Sequence, residues 1–267
     1  MKDKILLFIP MYNCEKQIVR VLDQITPESQ AYFTEILIVN NRSTDAGEQA
    51  VICYASAHPH LPITLVRNDE NYGLGGSHKV AFSYALTHQF DYVITLHGDD
   101  QGNIADILPY LKSRQYTQYD CMLGARFMKG SRLEGYSKFR AFGNRVYNGL
   151  FSVGTGLRIY DLGAGLNMYK TTILKKPFYQ KFSDNLLFNY CMILALSYYN
   201  QTYFFFPISW RETDQVSNVK LTSQALTVLQ LLALYIINKN RFMQQEHRVR
   251  PFAHYGAKQI YPQEKHD

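Results

Sequence analysis

The sequence predicts an α/β protein in which a mostly parallel, doubly wound sheet forms the centre of a single domain. In the first 125 residues, short apolar runs rich in β-branched residues alternate with segments of helical length, as in parallel strands joined by crossover helices. Several of these runs lead directly into turns rich in Asn, Asp and Gly. The chain has 267 residues and is 46% hydrophobic, which is enough for one large core.

The first half contains five predicted strands and four predicted helices. The strands cover residues 4–9, 35–39, 63–66, 92–96 and 120–124. The helices cover residues 14–25 and 46–57, a segment from the glycine-rich turn at 71–76 to about 88, and residues 105–113. Asn13 is placed to cap the first helix.

The second half departs from this alternation. It predicts a basic loop at 127–135, a helix at 139–151, loops around a short strand at 154–165, a helix at 184–199, a strand at 203–208, a helix at 223–238 and an irregular polar tail after Arg241. Because no internal repeat or low-complexity linker divides the chain, we expect one domain rather than two.

The composition narrows the class of partner and the compartment. The formal net charge is +6, and the excess is concentrated in the basic residues between 126 and 145 and in the tail. Such patches suit diphosphates or anionic lipid, whereas no recognition motif or long basic run indicates nucleic acid. The four cysteines lie far apart with no Cys-x-x-Cys pair, and the first ten residues lack the layout of a signal peptide. A cytoplasmic protein with reduced thiols is therefore predicted.

The strand at 92–96 leads into an acidic and polar cluster. His97, Asp99, Asp100 and Gln101 follow it at its carboxyl end. In open α/β sheets, ligands bind at that edge. Two carboxylates beside an imidazole and an amide suit a divalent cation held against phosphate oxygens. A loop of solvated acids is the alternative interpretation.

Two other turns leave predicted strand ends at the same edge. The first supplies Pro10, Tyr12 and Asn13, and the second supplies Asn41 and Asp45. Together they offer an aromatic face for stacking, amides for a base edge and a carboxylate for ribose hydroxyls, so they can hold a nucleoside. The same residue types lead the ranking of helix caps, and capping is therefore the alternative role.

A third turn is rich in glycine and begins a helix that carries a lysine. Gly73 lies in this turn, and Lys79 follows it one or two helical turns later. The free N–H groups and the dipole at a helix N-terminus attract phosphate. The glycine spacing matches neither a dinucleotide-binding fingerprint nor a P-loop.

Taken in order, these motifs resemble the family 2 glycosyltransferases, particularly dolichol-phosphate mannosyltransferase and bacterial polyprenyl-phosphate glycosyltransferases. The motifs are IPMYN at 9–13, VNNRSTD at 39–45, NYGLGG at 71–76, HGDDQ at 97–101, GARF at 124–127, FGNR at 142–145, DLGAG at 161–165 and WRE at 210–212. The resemblance covers about residues 4–240. It implies a Rossmann-like glycosyltransferase A-type domain at 1–240, with a nucleotide-sugar-binding half at 1–125, an acceptor half at 126–240 and a basic polar tail at 241–267.

The resemblance also implies roles for individual residues. The nucleobase would be surrounded by Pro10, Tyr12 and Asn41, and the remaining substrate contacts would come from Asn13, Asp45, Gly73, Lys79, His97, Asp100 and Gln101. Lys79 would lie near the diphosphate or the donor sugar. Asp99, with His97, would ligate Mg²⁺ or Mn²⁺. Arg126 matches a residue of the donor or acceptor pocket, and we count it with Asp99 and Asp184 as catalytic.

Two positions depart from the family pattern. The first acid of the family's Asp-x-Asp motif is His97 in this chain, and histidine prefers transition metals to Mg²⁺. A hydrogen bond from His97 to a phosphate or sugar hydroxyl is the alternative to metal ligation. The usual acid pair after the second strand is Asn40–Asn41. A neutral amide can still accept a base N–H, so uracil binding remains expected.

The implied reaction is a metal-dependent, inverting hexosyl transfer from a uridine diphosphate sugar to polyprenyl phosphate, in cell-envelope glycan biosynthesis. A sugar hydroxyl on a surface glycan is the alternative acceptor and would need a general base, for which Asp184 is the first candidate and Asp161 the second. Asp184 could instead cap the helix that follows it. A nucleotidyltransferase should have a glycine-rich basic turn where this chain has residues 10–13. A non-catalytic nucleotide-sugar-binding module is left open by His97.

The most apolar late segment is the predicted helix at 223–238. Its apolar stretch is too short to span a bilayer. It is expected either to pack on the sheet or to lie at the inner face of the membrane as a peripheral contact. In the second case, the basic residues near anionic head groups would be Lys239, Arg241, Arg248 and Arg250.

Overall fold

The computed structural model describes residues 2–212 and 221–263. The strands are β1 (Ile5–Met11), β2 (Glu35–Asn40), β3 (Ile63–Asn68), β4 (Tyr92–Leu96), β5 (Cys121–Ala125), β6 (Arg132–Glu134), β7 (Leu166–Lys170), β8 (Tyr203–Pro207), β9 (Ser209–Arg211) and β10 (Ala257–Tyr261). Eight of them form one sheet in the order β10-β3-β2-β1-β4-β7-β5-β8, while β6 and β9 form a separate two-stranded sheet.

Helices cover both faces of the large sheet. They are α1 (Glu15–Asp23), α2 (Pro27–Gln30), α3 (Gly47–Ala57), α4 (Gly73–Thr87), α5 (Leu108–Lys112), α6 (Lys138–Thr155), α7 (Thr171–Leu174), α8 (Phe188–Tyr198), α9 (Leu221–Ile237) and α10 (Lys239–Gln244). The helix predicted at 105–113 is divided into a 3-10 turn at Ile104–Asp106 and α5.

Strand β1 shows why the first strands are apolar throughout. Successive strand residues point to opposite faces of a sheet. Leu6 and Phe8 enter the core that includes α4, α8 and α9, whereas Leu7 and Ile9 enter the core that includes α1, α3 and α5. β1 pairs in parallel with β2 and β4, and β2 pairs in parallel with β3. The predicted mostly parallel sheet with helices on both faces is therefore confirmed.

The prediction is wrong for the strand beside β4. It placed a short strand among loops at 154–165, whereas the strand is β7, just beyond that range. β7 lies antiparallel between β4 and β5, with Leu166 opposite Leu96. The glycines at 154–165 mark loops, but the pairing that defines β7 joins distant parts of the chain and has no local sequence signal.

The tail is also more ordered than predicted. Residues 257–261 form β10, which pairs antiparallel with β3 at the edge of the sheet. Arg248 was expected to face lipid head groups, but its guanidinium is bonded to Glu246 and to the Phe252 carbonyl. Lys265 lies outside the described residues. The boundary at residue 240 stays a prediction.

Two expected helix caps are absent from the described residues. The N-cap residue of α1 is Cys14, which makes no side-chain cap bond, so Asn13 does not cap this helix. Helix α8 begins at Phe188 after Leu187, so Asp184 is not its N-cap. Both side chains are engaged elsewhere, in contacts described below.

Helix α9 packs on the core along one side, as the first of its two expected placements requires, and its peripheral contact with the membrane stays a prediction. Val228, Leu231, Leu232 and Tyr235 are buried in the core, and the side chains on the other side of the helix are exposed. Within residues 2–212 and 221–263, the structure contains no helix that is long and apolar enough to cross a bilayer.

Candidate active site

The turns after β1, β2 and β4 meet at one edge of the sheet. The Gly98 N–H donates to the Pro10 carbonyl at 3.2 Å, and the Asn41 N–H donates to the Met11 carbonyl at 2.8 Å. A Cβ on Gly98 would lie 2.7 Å from the Pro10 oxygen. Glycine is therefore required for this close approach, which brings the segment that carries Asp99 beside the first turn.

The first two turns bind each other through their polar side chains. The Asn13 Oδ1 accepts a hydrogen bond from the Thr44 N–H at 2.8 Å, with Asn13 itself at a φ of +49°. Asp45 accepts from the N–H groups of Glu15 and Gly47, at 2.8 and 3.1 Å. Asn13 and Asp45 thus hold the two turns in register. Their predicted substrate contacts stay predictions.

Tyr12 is the open aromatic side chain of this edge. It is 51% exposed, next to the buried end of β1. An exposed ring beside polar turns can stack on a planar base. The exposed ring is available for the stacking role predicted for Tyr12, and that role stays a prediction.

The Asn41 amide is held in one orientation. Its Oδ1 accepts from the Tyr72 N–H at 2.8 Å and from Asn68 Nδ2 at 2.9 Å, and its Nδ2 donates to Asn71 Oδ1 at 2.7 Å. The atom facing a main-chain N–H must be the oxygen, so the amide cannot be flipped. With its oxygen engaged twice, Asn41 has an N–H left to offer a ligand. The expectation that it accepts a base N–H is not supported by these bonds.

An ion pair beneath the second turn was not anticipated. Glu48 is bonded through both oxygens to Arg67 at 2.8 Å, and it also accepts from Asn40 Nδ2 at 2.7 Å. Asn40 thereby supports the turn from below. Glu48 lies on α3 and Arg67 lies on β3. Nothing in the sequence around either residue indicates that they form an ion pair.

Asp99 and His97 lie partly exposed at the end of β4. Burial raises the pKa of the Asp99 carboxyl to about 6, although the Gln101 N–H donates to it at 3.3 Å. Burial, with the charge of Arg126, lowers the pKa of His97 to about 4, so its imidazole is neutral at pH 7. The ring packs on Gly165, where a Cβ would come within 2.8 Å of it. The Asp99 carboxylate therefore has no ion-pair partner among the described residues.

Asp100 has a different role from its neighbour. Its carboxylate accepts from Arg20 Nε at 2.7 Å and Gln24 Nε2 at 2.9 Å, and it also pairs with Arg211. These partners tie the site loop to α1 and β9. Arg211 belongs to the WRE motif, but the sequence gave no indication of its partner. A substrate contact by Asp100 stays a prediction without support from these bonds.

Arg126 is locked against Asp161. Its Nε and Nη2 donate to the two carboxylate oxygens at 2.8 Å each. Burial disfavours the guanidinium charge, but the Asp161 charge outweighs it and raises the pKa of Arg126. Phe127 and Trp210 face the guanidinium at 5.1 and 4.9 Å from their ring centres. Asp161 is therefore committed to an ion pair, which weighs against it as a general base.

Lys79 and Asp184 form a second cluster, in which the lysine is bonded to protein groups. Lys79 is fully buried, and its Nζ donates to Asp184 Oδ1 and to the Phe182 carbonyl at 2.6 Å each. Burial lowers the pKa of Lys79, and Asp184 opposes this effect. The Gly75 N–H at the start of α4 donates to the Asp184 carbonyl at 2.7 Å. The backbone of residue 184 also lies where a Cβ on Gly73 would be.

These contacts change the expectation for the glycine-rich turn. The free N–H groups at the start of this helix were expected to attract phosphate, but the N–H of Gly75 donates to the Asp184 carbonyl. The predicted substrate contacts of Gly73 and Lys79 stay predictions. In this conformation the Gly73 N–H donates to Asn71 Oδ1, and Lys79 Nζ donates to Asp184, Phe182 and Tyr255.

The arrangement can be compared with known proteins. A sequence profile described as Glycosyl transferase family 2 matches residues 7–178, which is well over half of the chain. The chain belongs to glycosyl transferase family 2. The expected family is thereby confirmed, and the protein is a glycosyltransferase rather than a nucleotidyltransferase.

The family 2 relatives include an undecaprenyl-phosphate 4-deoxy-4-formamido-L-arabinose transferase of Pseudomonas fluorescens. It is 28% identical over 170 residues, which cover 63% of this chain and 47% of that protein. This chain therefore spans about half the length of that transferase.

Solved structures share the fold at lower identity. TarS 1–349 of S. aureus in complex with UDP-GlcNAc has a TM-score of 0.57 at 19% identity, over 88% of this chain and 67% of that one. A mannosyltransferase of Pyrobaculum calidifontis in complex with GDP-Man and Mn²⁺ has a TM-score of 0.56 at 16% identity, over 91% and 72%. These similarities confirm the glycosyltransferase A-type fold.

Family 2 enzymes generally use a divalent metal, and the donor set of this chain can be tested against one. His97 Nε2 is buried and has no hydrogen-bond partner in the described chain, and burial raises the pKa of the nearby Asp99 carboxyl. Across the described residues, no three His, Cys, Asp or Glu side chains converge as a complete metal site. One carboxylate and one imidazole suit an ion that takes its other ligands from a diphosphate and water. The residues therefore fit such an ion when the donor is bound.

Proposed function

We propose that this family 2 glycosyltransferase moves a hexose from a uridine diphosphate sugar to polyprenyl phosphate, with inversion at the anomeric carbon. The family and the fold support the reaction class. The name of the Pseudomonas relative supports a lipid phosphate as acceptor, and the UDP-GlcNAc complex of TarS supports uridine in the donor.

The donor would bind along the edge formed by the turns after β1, β2 and β4. Tyr12 would stack on the base, and the remaining Asn41 N–H would donate to a carbonyl oxygen of uracil. Asp99 and His97 would hold Mg²⁺ or Mn²⁺, and Gln101 would contact the donor beside them. When bound, the ion would neutralise charge on the leaving diphosphate.

The acceptor chemistry would need little from the protein. A phosphate oxygen of the acceptor attacks the anomeric carbon from the side opposite the diphosphate, the carbon–oxygen bond to the diphosphate breaks, and uridine diphosphate leaves. Because the attacking oxygen is already anionic, no general base is required. The Arg126 guanidinium, held by Asp161 beside the site, would add a fixed positive charge for the anions.

The observation that carries the lipid acceptor is an exposed apolar stripe on α6. Its members recur at helical spacing along one side, and they are Phe139, Phe142, Val146, Leu150 and Val153. Phe139 is 79% exposed and Val153 is 87% exposed. Contiguous exposed apolar surface of this kind marks a contact with protein or membrane.

Helix α9 extends this stripe. A Cβ on Gly154 of α6 would lie 2.8 Å from Leu232 and 2.9 Å from Ile236, so the two helices touch. The exposed apolar side chains of α9 include Leu226, Leu229, Leu234, Ile236 and Ile237. We call the exposed apolar residues of both helices the apolar face.

The charge beside the apolar face favours an anionic bilayer as its partner. Helix α6 contains Lys138, Arg140 and Arg145 and no acidic residue, and Lys239 and Arg241 follow α9. Arg140 is engaged by Glu212, while Lys138, Arg145, Lys239 and Arg241 are exposed. Basic residues near an anionic surface contribute about 1 kcal/mol each. Peripheral attachment through this face would place the site at a lipid-linked acceptor.

The test is sugar transfer to undecaprenyl phosphate embedded in anionic vesicles, with a panel of UDP-hexoses and Mn²⁺. Wild type should give labelled lipid. Phe139→Ser combined with Phe142→Ser should lower the rate at least about tenfold, because burying two phenylalanines contributes on the order of 3 kcal/mol to membrane binding. Val249→Ser is the matched control, since Val249 is 94% exposed but lies outside the apolar face.

A second assay, with the acceptor dissolved in detergent, separates membrane binding from the transfer reaction. There the double variant should equal wild type, because no bilayer has to be reached. Transfer to soluble saccharides alone would contradict the lipid acceptor and favour the hydroxyl acceptor, with Asp184 as base. Equal rates in vesicles for the double variant and wild type would contradict the membrane role of the apolar face.

A further inference from the structure

The segment 246–261, which we call the strap, crosses the outside of the glycine-rich turn. It lies beyond the residues matched by the family profile. β10 attaches the end of the strap to β3, with Ala257 opposite Asn68 and Lys258 opposite Arg67. Just before β10, the Gly256 carbonyl accepts from the Asp69 N–H at 3.1 Å. The strap is thereby fixed beside the start of the turn.

The strap encloses Tyr72, the second residue of the turn. The Tyr72 hydroxyl accepts from the Gly256 N–H at 3.2 Å. Phe252 and Tyr255 meet the Tyr72 ring edge-on, with ring centres 4.8 and 5.2 Å away. Aromatic pairs at these distances stabilise one another beyond the area that they bury. The strap therefore restricts the position of Tyr72 from the outer side.

The Tyr255 hydroxyl also completes the cluster beneath the turn. It donates to Asp184 Oδ1 at 2.7 Å and accepts from Lys79 Nζ at 3.0 Å and Arg248 Nη1 at 3.2 Å. Lys79 can donate three hydrogen bonds, and Tyr255 supplies the third acceptor after Asp184 and Phe182. A buried ammonium is costly unless it is paired and fully bonded. The cluster is thus built to hold its members in place.

Both sides of the turn are therefore fixed, and the turn fixes Asn41. The Asp184 carbonyl holds the Gly75 N–H from below, and the strap holds Tyr72 from outside. The Tyr72 N–H in turn sets the orientation of the Asn41 amide. A continuous path of hydrogen bonds and ring contacts joins Tyr255 to Asn41, which is predicted to contact the base.

We propose that the strap is part of the nucleotide site, in which Tyr255, Lys79 and Asp184 act as positioning residues that set the glycine-rich turn and, through it, Asn41. The identity of the ligand in this inference rests on the proposed function, whereas the contacts are those described above. It assigns Lys79 and Asp184 to the alignment of the donor site rather than to the diphosphate or to proton transfer.

The decisive variant is Tyr255→Phe, which removes one hydroxyl and keeps the ring. Its matched control is Tyr84→Phe, since the Tyr84 hydroxyl donates to Glu35 Oε1 at 2.6 Å near the other end of α4. Amide hydrogen exchange in the ligand-free protein should accelerate at residues 68–78 in Tyr255→Phe and remain as in wild type there in Tyr84→Phe. This readout requires no nucleotide.

The second readout is affinity for UDP, and for GDP, CDP and ADP, with Mn²⁺ by calorimetry. Tyr255→Phe should weaken the tightest nucleotide about tenfold, because the hydroxyl that is lost makes hydrogen bonds to three charged groups, and the loss of such bonds is of at least that order. The KM for donor should rise by the same factor, while kcat at saturating donor stays within about twofold. Asp184→Asn should change affinity and KM in the same direction and by more, because it breaks the ion pair with Lys79, and it should leave the pH profile of kcat unchanged.

Three results would overturn the inference. They are exchange at 68–78 that matches the control, exchange that rises without any change in nucleotide affinity, and a loss of kcat alone in Asp184→Asn. Should Tyr255→Phe not fold, Arg248→Gln removes one bond to the same hydroxyl and should act in the same direction. A wild type that binds none of the nucleotides would refute the proposed function, and the exchange rates would still decide whether the strap holds the turn.

Discussion

Two acidic sites in this molecule contrast in the charged groups that the protein places beside them. At the end of β4, Asp99 is bonded to a main-chain N–H, and the pKa of its carboxyl is raised by burial. Beside the start of α4, Asp184 is bonded through Oδ1 to Lys79 and Tyr255, while its Oδ2 is buried and has no hydrogen-bond partner in the described chain. Both acids were predicted as catalytic residues from the family resemblance. The difference in their partners indicates that Asp99 is available for a ligand and that Asp184 is used to hold the fold of the site.

The same contrast exists between adjacent residues. Asp99 has no cation beside it at ion-pair distance among the described residues, whereas Asp100 is paired with both Arg20 and Arg211. A pair of acids in a sequence therefore need not form one site. Here the second acid anchors the loop that presents the first.

The largest effect should follow from Asp99→Asn. Turnover should fall about a thousandfold, because the carboxylate proposed to hold the metal against the diphosphate is lost. The metal-free protein should not lose stability, since the substitution removes a charge that burial disfavours. Steady-state transfer rates and thermal unfolding check the two parts. If Asp99→Asn had activity near the wild-type level, Asp99 would not be the acid that binds the ligand.

A smaller effect on activity, but a large one on stability, is expected for Lys79→Met. Breaking a buried pair leaves Asp184 without its counter-charge, which should lower the free energy of unfolding by about 3–5 kcal/mol. Urea denaturation measures this loss. Lys79→Met combined with Asp184→Asn should recover part of it. If Lys79 contacted the diphosphate instead, Lys79→Met would mainly lower kcat, with little change in stability.

The smallest effect is expected for His97→Asp, which restores the first acid of the family motif. A carboxylate favours Mg²⁺ more than an imidazole does, so the ratio of activities with Mg²⁺ and Mn²⁺ should rise a few-fold. Transfer rates titrated with each ion provide the measurement. An unchanged ratio would mean that His97 bonds the substrate and does not ligate the ion.

The first half of the chain could be predicted well because its signals are local. Apolar runs covered on both faces, such as β1, and the polar turns after them lie in continuous sequence. The edge at which Pro10, Asn41 and Asp99 meet follows directly once those strands are parallel. The family resemblance rested in part on these same segments, and the profile confirms it.

What the sequence could not indicate depends on pairing between distant segments. β7 joins β4 and β5 in an antiparallel manner, and Tyr255 reaches Lys79 across most of the chain. Asp100 pairs with Arg20, which is also distant in the sequence. None of these residues differs in type from an ordinary surface residue. Their partners are set by the fold, so the roles of Lys79 and Asp184 were judged from motif position alone.

β10 also has a consequence for the solubility of the protein. Without it, β3 would present a row of unpaired backbone groups, and Ile63, Leu65 and Val66 would lie on an open sheet edge. Such edges recruit strands from other molecules. β10 covers β3 and is itself a poor template, since it carries Lys258 and its register shifts between Gln259 and Tyr261. The same segment that fixes the glycine-rich turn thus protects the sheet from edge-to-edge aggregation.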